Sequence, residues 1–464
     1  MIELSFHGAV RSVTGSRHLL NINGFRLLLD CGLFQGHRAE TYQRNLNFDF
    51  APASIDDVII SHAHIDHLGN LPNLVKQGFN GDVFCTSATV DLANIMLTDS
   101  ANIQEGDIEF VNKIRKKQNL PASEPLYRVS DIPSTLRLFR SSSYERPFKI
   151  SPDIQAIFHD AGHILGSAIT VININDKGRQ VSVCFTGDLG RYHMPIIRNP
   201  ASVTDSDILI IESTYGNRFH ADIRNVEERL ARVIKATVAR GGKLIVPSFA
   251  LERTQELIYC LHQLKLTHEI PDIPVFVDSP LAIDATDIFR AHPECYDNET
   301  ALLLRTTNDP FGFHGLHYTR SVEESKALNK LETPAMIIAG SGMAESGRIL
   351  HHLRNNIGDP RNTILIVGWQ AENTLGRKLA ERWPEVKIFG EPYKLRAQVE
   401  VFDEFSAHAD RNGLIKWASA GKDRWKKVFI VHGEEEASLS LAEALTSAGL
   451  REVIVPEYGQ KFDL

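Results

Sequence analysis

A chain of 464 residues exceeds the size at which one hydrophobic core usually stops growing, so two domains are expected. With 43% hydrophobic and 23% charged residues the composition is that of a folded protein and excludes general disorder. A formal charge of -8 excludes global attraction to nucleic acid, so any polyanion has to be held by a local cleft or by metal ions.

In chain order, the first fifty or so residues alternate apolar runs with turns, "IELSFHG", "RHLLNING" and "FRLLLDCG", which predicts a strand meander. "VIISHAHIDHLGNLP" follows as an apolar strand, a His-rich loop and a short helix from about Gly69. Apolar positions at helical spacing from Ala88 to about Gln118 predict one long helix or a broken pair, ended before Pro121. Strand patterns return in "IQAIFHDAG", "SAITVINI", "QVSVCFTGD" and "DILIIESTYG", and the polar loops after them place His163, Asp188 and Glu212 at strand ends. After Tyr215 helix and strand alternate plainly through "KLIVPSFA", "PVFVDSP", "PAMIIAGSGM" and "NTILIVGW", the pattern of a parallel sheet. From about Val386 the strand-and-loop texture of the first half comes back, as it would if one domain were inserted into another.

The five cysteines are scattered, odd in number and without CxxC spacing, which suits reduced thiols. The start "MIELSFHGAVRSVTGS" has neither a cationic nor an apolar signal region, and no segment is apolar enough for a membrane span. A cytoplasmic protein with no membrane partner is therefore expected.

His62, His64, Asp66 and His67 fall within six residues. Three imidazoles and a carboxylate are buried together only where something offsets their desolvation, and a bound cation is the commonest means. The spacing lets His62 and His64 converge on one ion while Asp66 and His67 turn toward a second. His163 fits the first set, His432 in "VHGE" the second, and Asp188 in "FTGDLG" can bridge both through its two oxygens. Two ions about 3.5 to 4 Å apart lower the pKa of a bound water and stabilise an in-line displacement, chemistry suited to ester or phosphodiester hydrolysis. Asp30 in "LLLDCG" either orients a ligand histidine or serves as an ordinary turn residue.

"SHAHIDHLG", "DAGHILGS", "FTGDLG" and "VHGE" resemble the signature motifs of the metallo-β-lactamase superfamily. "ESTYG", "FSAHAD" and "VHGE" are similar, in order, to motifs A, B and C of its β-CASP branch, the nucleases that include the pre-mRNA 3′-end cleavage factor and RNase J. "GGKLIVPSFALERTQELIY", "VDSPLA", "GSGMAESGR" and "GWQAENTLGR" extend the likeness through the inserted segment. The resemblance implies an αββα metallo-β-lactamase sandwich, residues 1–212 and 386–464, with an inserted α/β β-CASP domain containing a parallel sheet, residues 213–385. It assigns His62, His64, His163 and Asp188 to one Zn2+, and Asp66, His67, Asp188 and His432 to the other. It further implies that Glu212 and His408 form a pair in which His408 protonates the leaving oxygen. A histidine at 432, where DNA-processing members tend to have an apolar residue, favours RNA.

The reading is a zinc-dependent ribonuclease with two Zn2+ per chain, acting on single-stranded RNA in a cleft between the domains, as an endonuclease with room for exonuclease activity. A noncatalytic RNA-binding subunit and a small-molecule metallohydrolase are the alternatives. The turns "GSGM" and "DSP" can offer backbone N–H groups to phosphates, which makes Ser341, Gly342 and Met343 candidates for RNA contact. Arg253, Arg348 and Arg377 are candidate cations for the RNA backbone or ordinary surface arginines, and Phe249 either stacks on a base or packs in a core. The chain resembles minimal bacterial members in having no extension after Leu464 and no KH-like module before Met1. Whether it forms a homodimer is left open.

Overall fold

The computed structural model describes residues 1–36, 38–220 and 225–464. The chain divides into two compact units, one formed by 1–192, 199–219 and 408–464, the other by 193–198 and 220–407.

The first unit holds two seven-stranded sheets. One runs in the spatial order Lys461–Asp463, Ile2–Phe6, His18–Ile22, Phe25–Leu29, Asp57–Ile59, Val83–Cys85, Phe139–Ser141. Its meander begins as the sequence suggests: His18–Ile22 and Phe25–Leu29 pair antiparallel around Asn23-Gly24, both at positive φ, the backbone a two-residue hairpin turn needs. The other sheet runs Val453–Ile454, Lys427–Val431, Ile208–Glu212, Arg179–Phe185, Ala168–Asp176, Ile154–Asp160, Phe148–Ser151.

The inner faces of the two sheets bury one core, with Leu4, Phe6, Leu20, Leu27 and Leu29 against Phe158, Ile172, Val183, Phe185 and Phe429. The outer face of the second sheet packs Ile169, Cys184, Leu209, Ile211 and Ile430 against Leu414, Trp417, Leu441 and Leu445 of the helices Arg411–Ala420 and Glu435–Ser447. Alternate residues of one strand thus serve two cores, the period-2 logic of a sandwich covered by helices. The expected αββα arrangement is present.

The sequence left the segment from Ala88 to Gln118 open between one helix and two. It is one helix, Ser87–Lys117, capped by Thr86, whose Oγ1 accepts from Thr89 N. The expected loop around Asp66 and His67 is instead a single helical turn, Ile65–Leu68, followed by a second short helix, Leu71–Lys76. Pro72 near the start of the latter is tolerated there because the first N–H groups of a helix have no intrahelical partner.

The second unit is built on a six-stranded, all-parallel sheet in the order Leu316–Tyr318, Val275–Val277, Met336–Ala339, Leu244–Pro247, Thr363–Val367, Gln398–Phe402. This differs from the expected boundary at 385. Gln398–Phe402 pairs along its whole length with Thr363–Val367, so the segment up to Ala407 belongs to this unit. "QVEVF" reads equally well as a strand of either sheet, and only its partner decides. No helix among the described residues is long and apolar enough to cross a membrane.

Candidate metal centre

In the first unit every expected metal-site residue stands just after, or at the end of, a strand. Asp30 follows Phe25–Leu29, the His62 to His67 cluster follows Asp57–Ile59, and His163 follows Ile154–Asp160. Asp188 follows Arg179–Phe185, Glu212 ends Ile208–Glu212 and His432 follows Lys427–Val431. Carboxyl strand ends leave backbone free to turn side chains inward, which is where open α/β sheets keep their sites.

Three groups of donors result. His62, His64, His163 and Asp188 form one, Asp66, His67 and His432 a second, and Asp188, Glu212 and His408 a third, the donor atoms within each lying within 4.8 Å of one another. His64 Nδ1 lies 3.0 Å from His62 Nε2 and 3.2 Å from His163 Nε2. Ligands at 2.0 Å around a tetrahedral ion stand about 3.3 Å apart, so these three nitrogens are spaced as zinc ligands are. One Nδ1, with a single N–H or a single lone pair, cannot make good hydrogen bonds with two ring nitrogens at once. In the second group His67 Nε2 lies 3.1 Å from His432 Nε2, which is 3.4 Å from Asp66 Oδ2.

Asp188 joins the groups. Its Oδ2 lies 3.5 Å from His62 Nε2, 3.5 Å from His163 Nε2 and 3.3 Å from His67 Nε2, while Oδ1 is 3.3 Å from His432 Nδ1. Oδ1 is buried and accepts no hydrogen bond among the described residues. A buried carboxylate oxygen without a donor, facing imidazole nitrogens crowded at ligand spacing, fits a cation.

The charges of the first group fit as well, whereas His67, despite its burial, is pushed well above its ordinary value by Asp188 and Asp30. Burial, reinforced by His67, holds the His62 pKa well below its ordinary value, and burial with His408 does the same for His163. His64, lowered mainly by burial, falls to about 4. These rings are therefore neutral, the form that ligates metal. Burial opposes ionisation of Asp66, but the hydrogen bond from His432 and the charges of His67 and His432 hold it at about 2.

Around the donors stand residues that fix them. His67 Nδ1 is 2.7 Å from Asp30 Oδ2, so the role expected of Asp30 is geometrically available. Two neighbours escaped the sequence reading. Ser61 Oγ lies 3.0 Å from His62 Nδ1 and donates to Asp30 Oδ2 at 3.0 Å, and Thr214 Oγ1 lies 3.1 Å from His432 Nδ1. Both sit one or two residues from a named motif residue, in "SHAHID" and "ESTYG", and that adjacency was the available signal.

Glu212 and His408 also meet. Glu212 is fully buried; its Oε1 accepts from Leu189 N at 2.8 Å and lies 3.1 Å from His408 Nδ1, and its Oε2 accepts from Thr214 N at 3.1 Å. His408 Nδ1 is 3.9 Å from Asp188 Oδ2. Burial works against a charge on His408, yet Glu212 and then Asp188 outweigh it and push the pKa up to about 9.

The second unit treats its candidates differently. Arg348 donates to Asp278 Oδ1 at 2.6 Å and to the carbonyls of Thr319 and Arg320, and Arg253 is buried against Glu256. Both spend their charge inside the fold. Arg377 is exposed, its Nε donating to Glu381 Oε1 at 2.6 Å. Ser341 closes its own loop, its hydroxyl accepting from Glu345 N and Ser346 N, and the Met343 carbonyl accepts from Gly376 N. Gly342 lies against the ring of Phe249, where a Cβ would come within 2.5 Å of Cδ2. That ring is 42% exposed, so Phe249 is not a core residue, and Trp369, which sequence reading passed over, is equally exposed after the adjacent strand Thr363–Val367.

The sequence matches three family descriptions in order along the chain: metallo-β-lactamase superfamily over residues 17–207, Beta-Casp domain over 254–379, and Zn-dependent metallo-hydrolase RNA specificity domain over 392–456. The chain belongs to the β-CASP metallo-hydrolases of the metallo-β-lactamase superfamily. It is 35% identical to ribonuclease TTHA0252 of Thermus thermophilus, over 98% of both chains. It is 33% identical to the transcription termination factor FttA of Methanosarcina mazei, over 96% of this chain and 69% of that one, and 30% identical to an RNase J-like protein of Methanocaldococcus jannaschii, over 95% of each. A crystal structure of a protein of unknown function from Enterococcus faecalis shares the fold at a TM-score of 0.58 with 13% identity, over the whole of both chains.

Proposed function

We propose that this protein is a zinc-dependent ribonuclease that hydrolyses phosphodiester bonds of single-stranded RNA at a two-ion centre in the cytoplasm, as an endonuclease with exonuclease activity from a free end. The observation that carries the reading is the convergence of seven intact ligand side chains, Asp188 central among them, with the Glu212–His408 pair beside it. A noncatalytic subunit would have no use for a complete donor set. A small-molecule hydrolase would not need a second, separately held histidine. Five buried cysteines, none in a disulfide, agree with a reducing compartment.

His62, His64, His163 and Asp188 would hold one Zn2+, and Asp66, His67, His432 and Asp188 the other. When bound, the ions supply an activated water near neutral pH and positive charge against the phosphate. His408 donates its proton to the departing 3′-oxygen, which leaves a 5′-phosphate and a 3′-hydroxyl. Glu212 holds the imidazolium charged and aimed through Nδ1, so that Nε2 carries the transferable proton. Phe249 and Trp369 offer exposed faces on which RNA bases stack.

The test is incubation of the metal-loaded protein with 5′- and 3′-labelled RNA, with and without chelator. Internal cuts that chelator abolishes are expected. RNA left intact at full zinc occupancy would remove the proposal.

A further inference from the structure

The long helix Ser87–Lys117 carries an apolar stripe on its solvent side. Ile103, Phe110 and Ile114 are 56%, 64% and 43% exposed, and Leu120, just past the helix end, is 48% exposed. Separations of seven and four residues put the three on one helix face. Glycine at 106 lies on the same face, one turn before Phe110, with no atom within 4 Å of where its Cβ would be. A helix-interior glycine costs stability relative to alanine, and among the described residues no side chain fills the space it leaves. Charge along the stripe is ordered as well. Asp107 and Glu109 come before Val111, and Lys113 and Lys117 after it.

We propose that this face binds the same face of a second copy of the chain, antiparallel, about a two-fold axis near Val111. Direction follows from charge: parallel helices would set acids on acids and bases on bases, whereas antiparallel ones set the acidic half of each on the basic half of the other. A two-fold contact of this kind is self-complementary by construction. Phe110 and its copy meet at the axis, the gap at Gly106 receives Ile114 of the second copy, and Ile103 lies toward the other copy's Leu120. One helix pair is a small interface, so the dimer forms in a concentration- and salt-dependent way.

Sedimentation equilibrium of the full-length protein tests this over a range of concentrations at low and high salt. Wild type should move toward twice the monomer mass as concentration rises, less so in salt. Glu109→Lys alone and Lys113→Glu alone should each weaken dimerisation about tenfold, because every reversal acts twice across the axis. Combining both in one chain should restore it to within about twofold of wild type, since residue 109 of each copy then meets an opposite charge at 113 of the other again. Phe110→Ser should weaken it without rescue by the charge swap. A wild type that stays monomeric at every concentration, leaving the stripe to some other partner, would overturn the proposal, and so would a double variant as weak as the singles.

Discussion

His67 Nδ1 lies 2.7 Å from Asp30 Oδ2, and that contact decides which of the two ring nitrogens faces the other donors. Asp30 is itself fully buried and accepts from Ser61 N, Ser61 Oγ and Ser16 Oγ, so the imidazole leans on a carboxylate that cannot swing away. With Nδ1–H committed, Nε2 is the nitrogen that faces His432 and Asp188 and would ligate a cation.

Asp30→Ala should therefore lower zinc affinity by about 10- to 100-fold while leaving the fold intact. Zinc retention against a graded chelator series checks this. Retention equal to wild type would show that His67 needs no such support.

Zinc removal should destabilise the first unit. Without cations, ring nitrogens 3.0 to 3.2 Å apart and the donorless Asp188 Oδ1 stay buried together. At free zinc a thousandfold above its dissociation constant, binding to the folded state alone adds about 4 kcal/mol. The melting temperature should fall on chelation and recover with added zinc, and an unchanged melt would contradict the assignment.

His408→Ala, fully metal-loaded, should cleave RNA about 10²- to 10⁴-fold more slowly in single turnover. Because Glu212 and Asp188 push the His408 pKa up to about 9, the acid form persists through neutral pH and the rate declines as pH rises through that value. Glu212→Gln keeps the side chain's size but removes the charge that favours imidazolium and sets an amide NH2 against a backbone N–H, so the alkaline limb should move to lower pH. A limb that stays in place in this variant would assign the proton to another group.

Phe249→Ala and Trp369→Ala should each weaken RNA binding about 5- to 150-fold, the loss of one stacked base, with zinc content unchanged. Fluorescence anisotropy in a His408→Ala background, where RNA survives the measurement, reads this directly. Binding indistinguishable from the parent would return both rings to ordinary surface roles.

Asp278→Asn should destabilise the second unit by about 2 to 4 kcal/mol. The Asp278 carboxylate is buried and accepts from Arg348 Nη1 at 2.6 Å and Ser325 Oγ at 2.5 Å, with His352 Nε2 at 2.7 Å. Burial would raise its pKa, but these partners hold it below the ordinary carboxylate value. Its contribution is therefore complete above that ordinary value and lost as pH falls through the native one, so the variant should lose less stability than wild type on acidification. Parallel thermal melts across the acidic range measure both effects.

The sequence by itself determined the donors. His62, His64, Asp66 and His67 lie within six residues, and His163, Asp188, Glu212 and His432 each close an apolar run. Spacing along a strand and its following turn is local physics, legible without knowing what the strand pairs with. The tertiary structure alone decided where charge is spent and where strands belong. Arg348 reads as an available cation until the fold brings Asp278 to it from 70 residues away, and "QVEVF" reads as a strand of either unit until Thr363–Val367 pairs with it. Whether an arginine is committed, or an aromatic ring left exposed as Phe249 and Trp369 are, depends on partners distant in sequence, and local pattern carries no record of them.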